Sequence, residues 1–385
     1  MDEHNRFLTF VAACIGMSFF GISMITLGSV LPALTTKLAL STLHASALVA
    51  FLPLGILIGS LVFGPICDHY GHRILFLLSC VAVLFGLTGL SFFHHIILLQ
   101  LSIFLIGLGG GVLNGETNAL VADLYDDQQR GSKLSLLGAF YGIGAIGMPL
   151  LIGFLSKYCD YGIIIRSIGG VMLACIIFCL FVRFPKPKQA QSFPFRKAFG
   201  LLKQKSLLLL SFILFFESGL EGSCNNWTAL YLNKTTEINS GLILQTLTCM
   251  VVALTIARLV LVVLLEKIRQ DKILISCFCI AMIGFMLLSV AQNFFVAAAG
   301  MIFVGVGISA TYPVILNVIG KEYSALVGTA FGVAMTISII GNTLINSMVG
   351  TLSSLWGMTA YPIIMMICIL MMMILFRIHI INFKK

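Results

Sequence analysis

Charge is what this sequence has least of. Asp, Glu, Lys and Arg make up 10% of the 385 residues, and hydrophobic residues make up 59%, whereas a soluble domain carries roughly a quarter charged residues. The chain also has no nucleophile–base set, no phosphate-binding loop and no metal-like ligand spacing. An enzyme, an ATP-driven pump with its own nucleotide domain, and a bound cofactor or metal are therefore not expected.

Cysteine and histidine do not change this interpretation. All eleven cysteines lie in or beside apolar runs, where a thiol packs as a small apolar group. His69 and His72 belong to a loop after the second apolar run and have no partner cluster in the sequence. We therefore expect packing thiols and no metal centre.

Apolar runs long enough to cross a bilayer as a helix, about 20 residues each, recur along the whole chain. Lipid-facing backbone must be hydrogen-bonded internally, and the alternation of a β-barrel is absent, so the runs are predicted to be helices. The first is too long for a signal-peptide core and is expected to be retained. The twelve predicted spans lie near 7–34, 43–66, 74–93, 96–123, 134–156, 162–183, 206–232, 240–265, 272–291, 294–319, 326–350 and 355–377.

Basic residues are distributed unevenly between alternate loops. With both termini cytoplasmic, 18 of the 23 Lys and Arg residues lie in inside loops and tails, and Arg258 lies within the eighth span. Only Lys37, Lys157, Arg166 and Lys234 fall outside. The positive-inside rule therefore predicts cytoplasmic termini. The net charge of +9 reflects this topology, so no nucleic-acid partner is expected.

One long hydrophilic break, residues 184–205, divides six spans from six. Seven Lys and Arg residues lie between Arg183 and Lys205, with no acid among them. The segment either lies on the anionic inner leaflet or forms a solvated linker. We expect an N-terminal six-helix bundle over 1–183 and a C-terminal one over 206–385.

The two halves repeat each other weakly in the same direction. Glycine pairs in the fourth and fifth spans have counterparts in the tenth and eleventh. The matched pairs are Gly107 and Gly109 with Gly305 and Gly307, and Gly138 and Gly142 with Gly328 and Gly332. A parallel six-plus-six repeat predicts two bundles with a binding site near the membrane midplane.

The loop GPICDHYGHR, residues 64–73, is the sharpest local pattern. Asp68 and Arg73 are expected to pair with each other or with charges and helix ends nearby. The spacing G-x-x-x-D-x-x-G-x-R, which includes Gly71, resembles the signature loop of the major facilitator superfamily. That resemblance implies a fold of two six-helix bundles and a loop that latches the outward-open state. Four further gating residues are predicted, namely Asp123 with Arg130 and, in the second copy of the motif, Arg258 with Glu266.

Three glutamates stand inside apolar spans. Glu116 has Asn114 and Asn118 beside it, while Glu217 and Glu221 share one face of a helix, one turn apart. An ionised carboxylate in hydrocarbon costs several kcal/mol, which predicts an ion or substrate pathway. A structural role for Glu116, bonded to neighbouring helices, is the alternative.

The seventh span continues to Asn225, Asn226 and Trp227, residue types that suit a sugar. Amides bind hydroxyls and an indole stacks on the apolar sugar face, although a tryptophan here is also typical of the membrane interface. Four other polar residues are candidates for ligand contact or for hydrogen bonds between helices: Gln245, Tyr312, Asn317 and Asn342.

The motifs resemble, within the superfamily, the fucose permease-like sugar transporters. Glu116-Thr117 matches a Glu-Thr of that branch, and Glu221 matches a glutamate six residues before a tryptophan. Leu120 replaces an asparagine of the family, and the first span has no acid where relatives often have an aspartate. Glu217 is an extra acid, and we hypothesise that it supplies the missing charge.

These patterns predict a monomeric secondary transporter in the plasma membrane (the bacterial inner membrane), surrounded by lipids. It is expected to take up a neutral sugar, coupled to a proton or other cation through Glu116 or Glu221. An antiporter exporting drugs or metabolites is an alternative, since the glycines of 138–153 resemble an antiporter motif, but close packing explains them equally well. A non-transporting receptor or scaffold is the alternative of another class.

Overall fold

The computed structural model describes residues 3–39, 42–156, 158–185 and 200–383. In these ranges twelve helices are long and apolar enough to span a membrane, so the prediction of an all-α protein with twelve spans is confirmed. The first six helices are α1 (Glu3–Lys37), α2 (Thr42–Tyr70), α3 (His72–Phe92), α4 (Ile96–Leu124), α5 (Asp127–Leu155) and α6 (Tyr161–Phe181).

The second half repeats this series with one interruption. The tenth span is broken after Ile308 and therefore consists of two helices, and a short 3₁₀ turn, Ser324–Leu326, follows it. The helices are α7 (Lys205–Thr235), α8 (Ser240–Lys267), α9 (Gln270–Ser289), α10 (Phe294–Ile308), α11 (Thr311–Glu322), α12 (Val327–Trp356) and α13 (Ala360–Phe383).

Predicted and observed boundaries differ most at the fifth and twelfth spans. The fifth begins at Asp127 rather than 134, because the polar sequence before the apolar run continues the helix and places an acid in its first turn. The twelfth begins at Ala360 rather than 355, because α12 runs on to Trp356. Most of the basic break, residues 186–199, and Lys157 lie outside the described residues, so the leaflet-bound segment stays a prediction.

The chain forms two compact units, and each unit includes a short segment from the other half of the sequence. The first consists of Met1–Asp126, Phe140–Ala198 and Tyr323–Gly332, and the second consists of Asp127–Ala139, Phe199–Glu322 and Val333–Lys385. The start of α5 is thus assigned to the second unit and the start of α12 to the first. The bundles over 1–183 and 206–385 remain a prediction.

Equivalent glycines bring equivalent helices together inside each unit. A Cβ atom on Gly107 of α4 would lie 2.3 Å from the carbonyl oxygen of Leu52 in α2. A Cβ atom on Gly305 of α10 would lie 2.3 Å from the carbonyl oxygen of Met250 in α8. Only glycine permits backbones to approach this closely. The same packing at matched positions supports the repeat inferred from the sequence.

Candidate functional site

Glu116 is fully buried on α4 and is hydrogen-bonded to a histidine of α3. Nδ1 of His72 lies 3.2 Å from each carboxylate oxygen of Glu116, and its Nε2 lies 3.1 Å from Oδ2 of Asp123. The Sγ atom of Cys67 lies 3.4 Å from Nδ1. Residues 116 and 123 are two helical turns apart and share a face of α4. One imidazole therefore bridges two carboxylates.

The expectation that His72 lacks a partner cluster is wrong. The sequence places this residue in a loop, whereas it is the first residue of α3 and is buried. Gly71 makes the break between α2 and α3 with a φ of 82°, a conformation that side chains disfavour. The partner Glu116 is 44 residues away in the chain, so no local pattern could have revealed the contact.

Glu217 is just as deeply buried on α7, but it has no comparable partner. Neither carboxylate oxygen accepts or donates a hydrogen bond among the described residues. The hydroxyl of Thr311, at the start of α11, is also buried without a partner in this part of the chain. Glu221, one turn further along α7, is half-buried. Burial of an ionised carboxylate at position 217 would cost free energy unless a hydrogen bond or an opposite charge offset it.

Asparagine side chains join α7 to α12 beyond these glutamates. Nδ2 of Asn226 donates to Oδ1 of Asn346 at 2.9 Å. Nδ2 of Asn346 donates to the carbonyl oxygen of Asn342 at 2.8 Å. Asn342 in turn donates to the carbonyl oxygen of Ser218 at 3.0 Å. Asn225 and Asn226 are exposed, so amide groups remain accessible at this position.

Trp227 packs its ring against α12. Two ring carbons lie 3.0 Å from the point where a Cβ atom of Gly350 would stand. The indole Nε1 is buried and makes no hydrogen bond within the described ranges. A free indole donor is compatible with ligand binding, whereas the contact of the ring edge with α12 agrees with a structural role as well.

The remaining predicted polar residues make mostly contacts between helices. Tyr312 and Ser338 share a hydrogen bond of 2.5 Å. Nδ2 of Asn317 donates to Oε1 of Gln270 at 2.8 Å, which joins α11 to α9. Gln245 is exposed on α8.

On α4, Asn118 donates to the carbonyl oxygen of Asn114 at 2.7 Å. Asn118 is buried and Asn114 is half-buried. Asn114 and Asn118 are one helical turn apart and share one face of α4, whereas Glu116 lies two residues from each and points away from that face.

The signature loop binds a helix end. Inside the first unit, Asp68 accepts hydrogen bonds from the backbone N–H groups of Gly328 at 3.1 Å and Thr329 at 2.8 Å, and from the hydroxyl of Thr329. These groups belong to the first turn of α12, where free N–H groups and the helix dipole favour an anion. Arg73 instead donates to the carbonyl oxygen of Leu180 at 2.8 Å. Of the two expected arrangements, Asp68 adopts the one with a helix end.

The second unit contains a matching contact. Arg258 of α8 donates to the carbonyl oxygen of Gly138 in α5 at 2.9 Å, and its own carbonyl oxygen accepts a hydrogen bond from Ser135 at 2.7 Å. Gly138 and Gly328 are positions that the sequence repeat aligns. The charged residue is an acid in one half and a base in the other, and each binds the backbone of the helix that carries the aligned glycine. Gly328 lies in the first turn of α12, whereas Gly138 lies about three turns into α5.

Two other predicted gating residues, Arg130 and Glu266, lie close to the start of α5 and the end of α8 respectively. Arg130 pairs with Asp127 at 2.8 Å, and Lys321 lies 3.4 Å from the other oxygen of Asp127. Glu266 is exposed near the end of α8.

A model of the Major Facilitator Superfamily matches residues 11–345 of the sequence. The chain belongs to this superfamily. Its members are transporters and not enzymes, and the chain is accordingly a multi-pass membrane protein, as its composition predicted.

Relatives and solved structures agree with membership of the superfamily. The glucose/mannose transporter GlcP of Bacillus subtilis is 24% identical over 361 residues, which is 87% of this chain and 86% of that protein. The transporter FucP in its outward conformation has a TM-score of 0.84 at 16% identity, over 97% of this chain and 99% of FucP. The proton:xylose symporter XylE has a TM-score of 0.80 at 14% identity, over 100% of this chain and 97% of XylE. The likeness to FucP agrees, at the level of fold, with the branch resemblance of the motifs.

The sequence indicated the charged residues of the site, but it did not indicate most of the groups that bind them. Thr329, Ser135 and Ser338 were not singled out, because hydroxyl residues are common in membrane helices and carry no spacing signal. The repeat did hold a usable clue for one of them. Thr329 follows Gly328, which aligns with Gly138, so a helix start facing the signature loop could have been inferred.

Proposed function

We propose that this protein takes up a neutral sugar together with protons by alternating access. The observation that carries the proposal is the burial of Glu116 in a hydrogen-bonded cluster with His72, on a helix that also carries the amides of Asn114 and Asn118. A carboxylate held in this way can bind a proton and can also accept hydrogen bonds from hydroxyl groups.

Accessible polar groups on α7 supply the second argument for a sugar. Asn225 and Asn226 are exposed, and Trp227 offers an unbonded indole N–H among the described residues. Neutral amides and an aromatic ring suit an uncharged polyhydroxylated substrate better than an ion. GlcP, the relative compared above, is named as a glucose/mannose transporter, and XylE as a proton:xylose symporter.

Transport assays in proteoliposomes test the proposal directly. Labelled D-glucose, D-mannose, D-xylose and L-fucose are offered with and without an inwardly directed proton gradient. At least one sugar is expected to accumulate with the gradient and to lose accumulation with an uncoupler. Uptake that an uncoupler leaves unchanged would remove the coupling claim, and stimulation of efflux by an inward proton gradient would favour the exporter.

A matched pair of variants links the assay to the buried carboxylate. Glu116→Gln keeps the shape of the side chain but cannot release a proton, so it should abolish accumulation. Glu237→Gln, outside the spans, is the control and should transport normally. If Glu116→Gln accumulates sugar as well as the wild type, Glu116 does not carry the coupling proton.

Close packing accounts for one of the glycines that resemble the antiporter motif. A Cβ atom on Gly144 of α5 would lie 2.0 Å from the carbonyl oxygen of Ser18 in α1. The glycine is required by the approach of two helices whatever the direction of transport. A Cβ atom on Gly147 or Gly153 would meet no described atom within 4 Å, so close packing does not explain every glycine of the motif, and export remains the second candidate. We further propose that both termini are cytoplasmic, which reporter fusions at each end would test.

A further inference from the structure

His72 is placed as an intermediate between two acids of unequal exposure. Its Nδ1 faces the fully buried carboxylate of Glu116, and its Nε2 faces Asp123, whose side chain is 9% exposed. The donor–acceptor distances of 3.2 Å and 3.1 Å are hydrogen bonds at both ring nitrogens. Asp123 lies one residue before the end of α4, and the exposed Asp126 follows it in the loop.

Among the described residues, the titratable side chains that are seen to contact or adjoin the imidazole lie on α2 and α4. On α2 they are the thiol of Cys67, which contacts Nδ1, and the carboxylate of Asp68, which accepts hydrogen bonds from the start of α12. On α4 they are Glu116 and Asp123. Imidazole is the group among these that ordinarily gains and loses a proton near neutral pH and that can do so at two separate atoms.

We propose that His72 conveys the coupling proton between Glu116 and Asp123. This inference rests on the proposed proton-coupled function and names its route. In the direction of release, Nδ1 of neutral His72 accepts the proton from the carboxyl group of Glu116, and Nε2 gives its own proton to the carboxylate of Asp123. Glu116 is left ionised, His72 is left neutral with its proton on Nδ1, and Asp123 passes one proton to water.

The return of the cycle requires two events. Ring rotation exchanges the two tautomers of His72, and Glu116 takes up a new proton from the side of the membrane opposite Asp123. Glutamine cannot replace this function, because its amide fills the space and forms hydrogen bonds but does not exchange a proton between two sites. The arrangement is specific to the side chain at position 72 and does not require any change in the sugar contacts.

The test separates net proton movement from sugar exchange. In proteoliposomes, His72→Gln is compared with the wild type and with His69→Gln, a neighbouring histidine on α2. The sugar that the wild type transports, among the four tested above, is used for two measurements. One is proton-driven accumulation, and the other is counterflow of labelled against unlabelled sugar. Counterflow needs no net release of the proton. His72→Gln is expected to lower the initial rate of proton-driven uptake by roughly 100-fold, the size typical of a lost proton-transfer group, and to keep counterflow.

Asp123→Asn tests the same route without altering the histidine. It should show the same split, with counterflow retained and accumulation lost, while His69→Gln behaves as the wild type. Normal accumulation by His72→Gln or by Asp123→Asn would overturn the inference. Loss of counterflow in both variants would also overturn it, because the cluster would then act on sugar binding or folding.

Sugar-induced proton uptake by the wild type and by His72→Gln distinguishes the two proposals. If sugar addition to de-energised wild-type vesicles causes no alkalinisation of the medium, the proposed proton coupling itself fails. If the wild type gives alkalinisation and His72→Gln gives the same signal, only the role of His72 fails. Histidine-labelled protein studied by NMR adds a readout that needs no sugar, since the resonances absent from His72→Gln should report protons on both ring nitrogens in exchange.

Discussion

Glu116 and Glu217 are the same residue type at the same burial, in different halves of the sequence, yet their surroundings are opposite. Both side chains are inaccessible to solvent. Glu116 has an imidazole within 3.2 Å of both oxygens, whereas neither oxygen of Glu217 has a hydrogen-bond partner in the described part of the chain. Burial alone therefore does not define the role of a membrane carboxylate. The partner decides whether the charged form is tolerated.

The largest expected effect comes from removing the partner of Glu116. His72→Leu leaves a buried carboxylate unpaired and should lower the free energy of unfolding by about 3–5 kcal/mol, the cost typical of a broken buried pair. Unfolding of the purified protein in mixed detergent micelles measures this loss. The double variant His72→Leu/Glu116→Met should recover most of it. Equal losses in the single and double variants would show that Glu116 is not charged when paired.

Substitution of Glu217 should change the stability of the protein in the opposite direction. Glu217→Met replaces an unpartnered buried acid by an apolar side chain of similar size, and this is often neutral or stabilising by about 1–4 kcal/mol. Glu221→Met, at the half-buried position one turn away, is the matched control and is expected to change stability less. A destabilisation of several kcal/mol by Glu217→Met would reveal a partner and remove the contrast with Glu116.

Asp68 provides an intermediate case, since its carboxylate is paired with backbone rather than with a charge. Thr329→Val removes one hydroxyl donor and leaves two N–H donors, so a loss of about 1.5–3 kcal/mol is expected for a hydrogen bond to a charged group. Thr336→Val on the same helix is the control, because that hydroxyl is buried without a partner among the described residues. The comparison would fail if both valine variants lost the same stability.

The smallest effect is expected at an exposed carboxylate outside the spans. A hydrogen bond from Lys37 holds the pKa of Asp160 below its usual range. Its contribution is therefore present above the unfolded-state pKa and is lost as the pH falls through the lower folded-state pKa. Because both side chains are nearly half exposed, Lys37→Gln should cost under about 1 kcal/mol. Stability measured from pH 6 down to pH 3 checks this, and a larger cost would show that exposure is a poor guide to pair strength.

Much of the fold followed from patterns that repeat along the chain. Long apolar runs specify the twelve spans because a helix is the conformation that satisfies a single backbone segment in lipid. The boundary errors arose where polar residues extend a helix beyond the bilayer, as at Asp127. The matched glycines Gly107 and Gly305 predicted an internal repeat, and the paired close approaches to α2 and α8 support it.

The candidate site was predictable in its acids and not in their partners. Glu116, Glu217 and Asp68 were identifiable because a carboxylate is rare in or beside an apolar run. His72 was not, because an isolated histidine at the end of a loop is ordinary in sequence. Asp68 was expected near a charge or a helix end, and only the packing of the helices shows that the N–H groups of α12 donate to its carboxylate.

The sequence by itself determined which residues share a helix face, since the period of 3.6 residues places 116 with 123 and 217 with 221. It also determined that these acids lie inside apolar helices. The tertiary structure decided which acid receives a partner. His72 reaches Glu116 because the break at Gly71 starts α3 beside α4, whereas the oxygens of Glu217 make no hydrogen bond within the described residues. Local periodicity acts within one helix, but the contacts that set the charge of a buried acid come from helices distant in the chain.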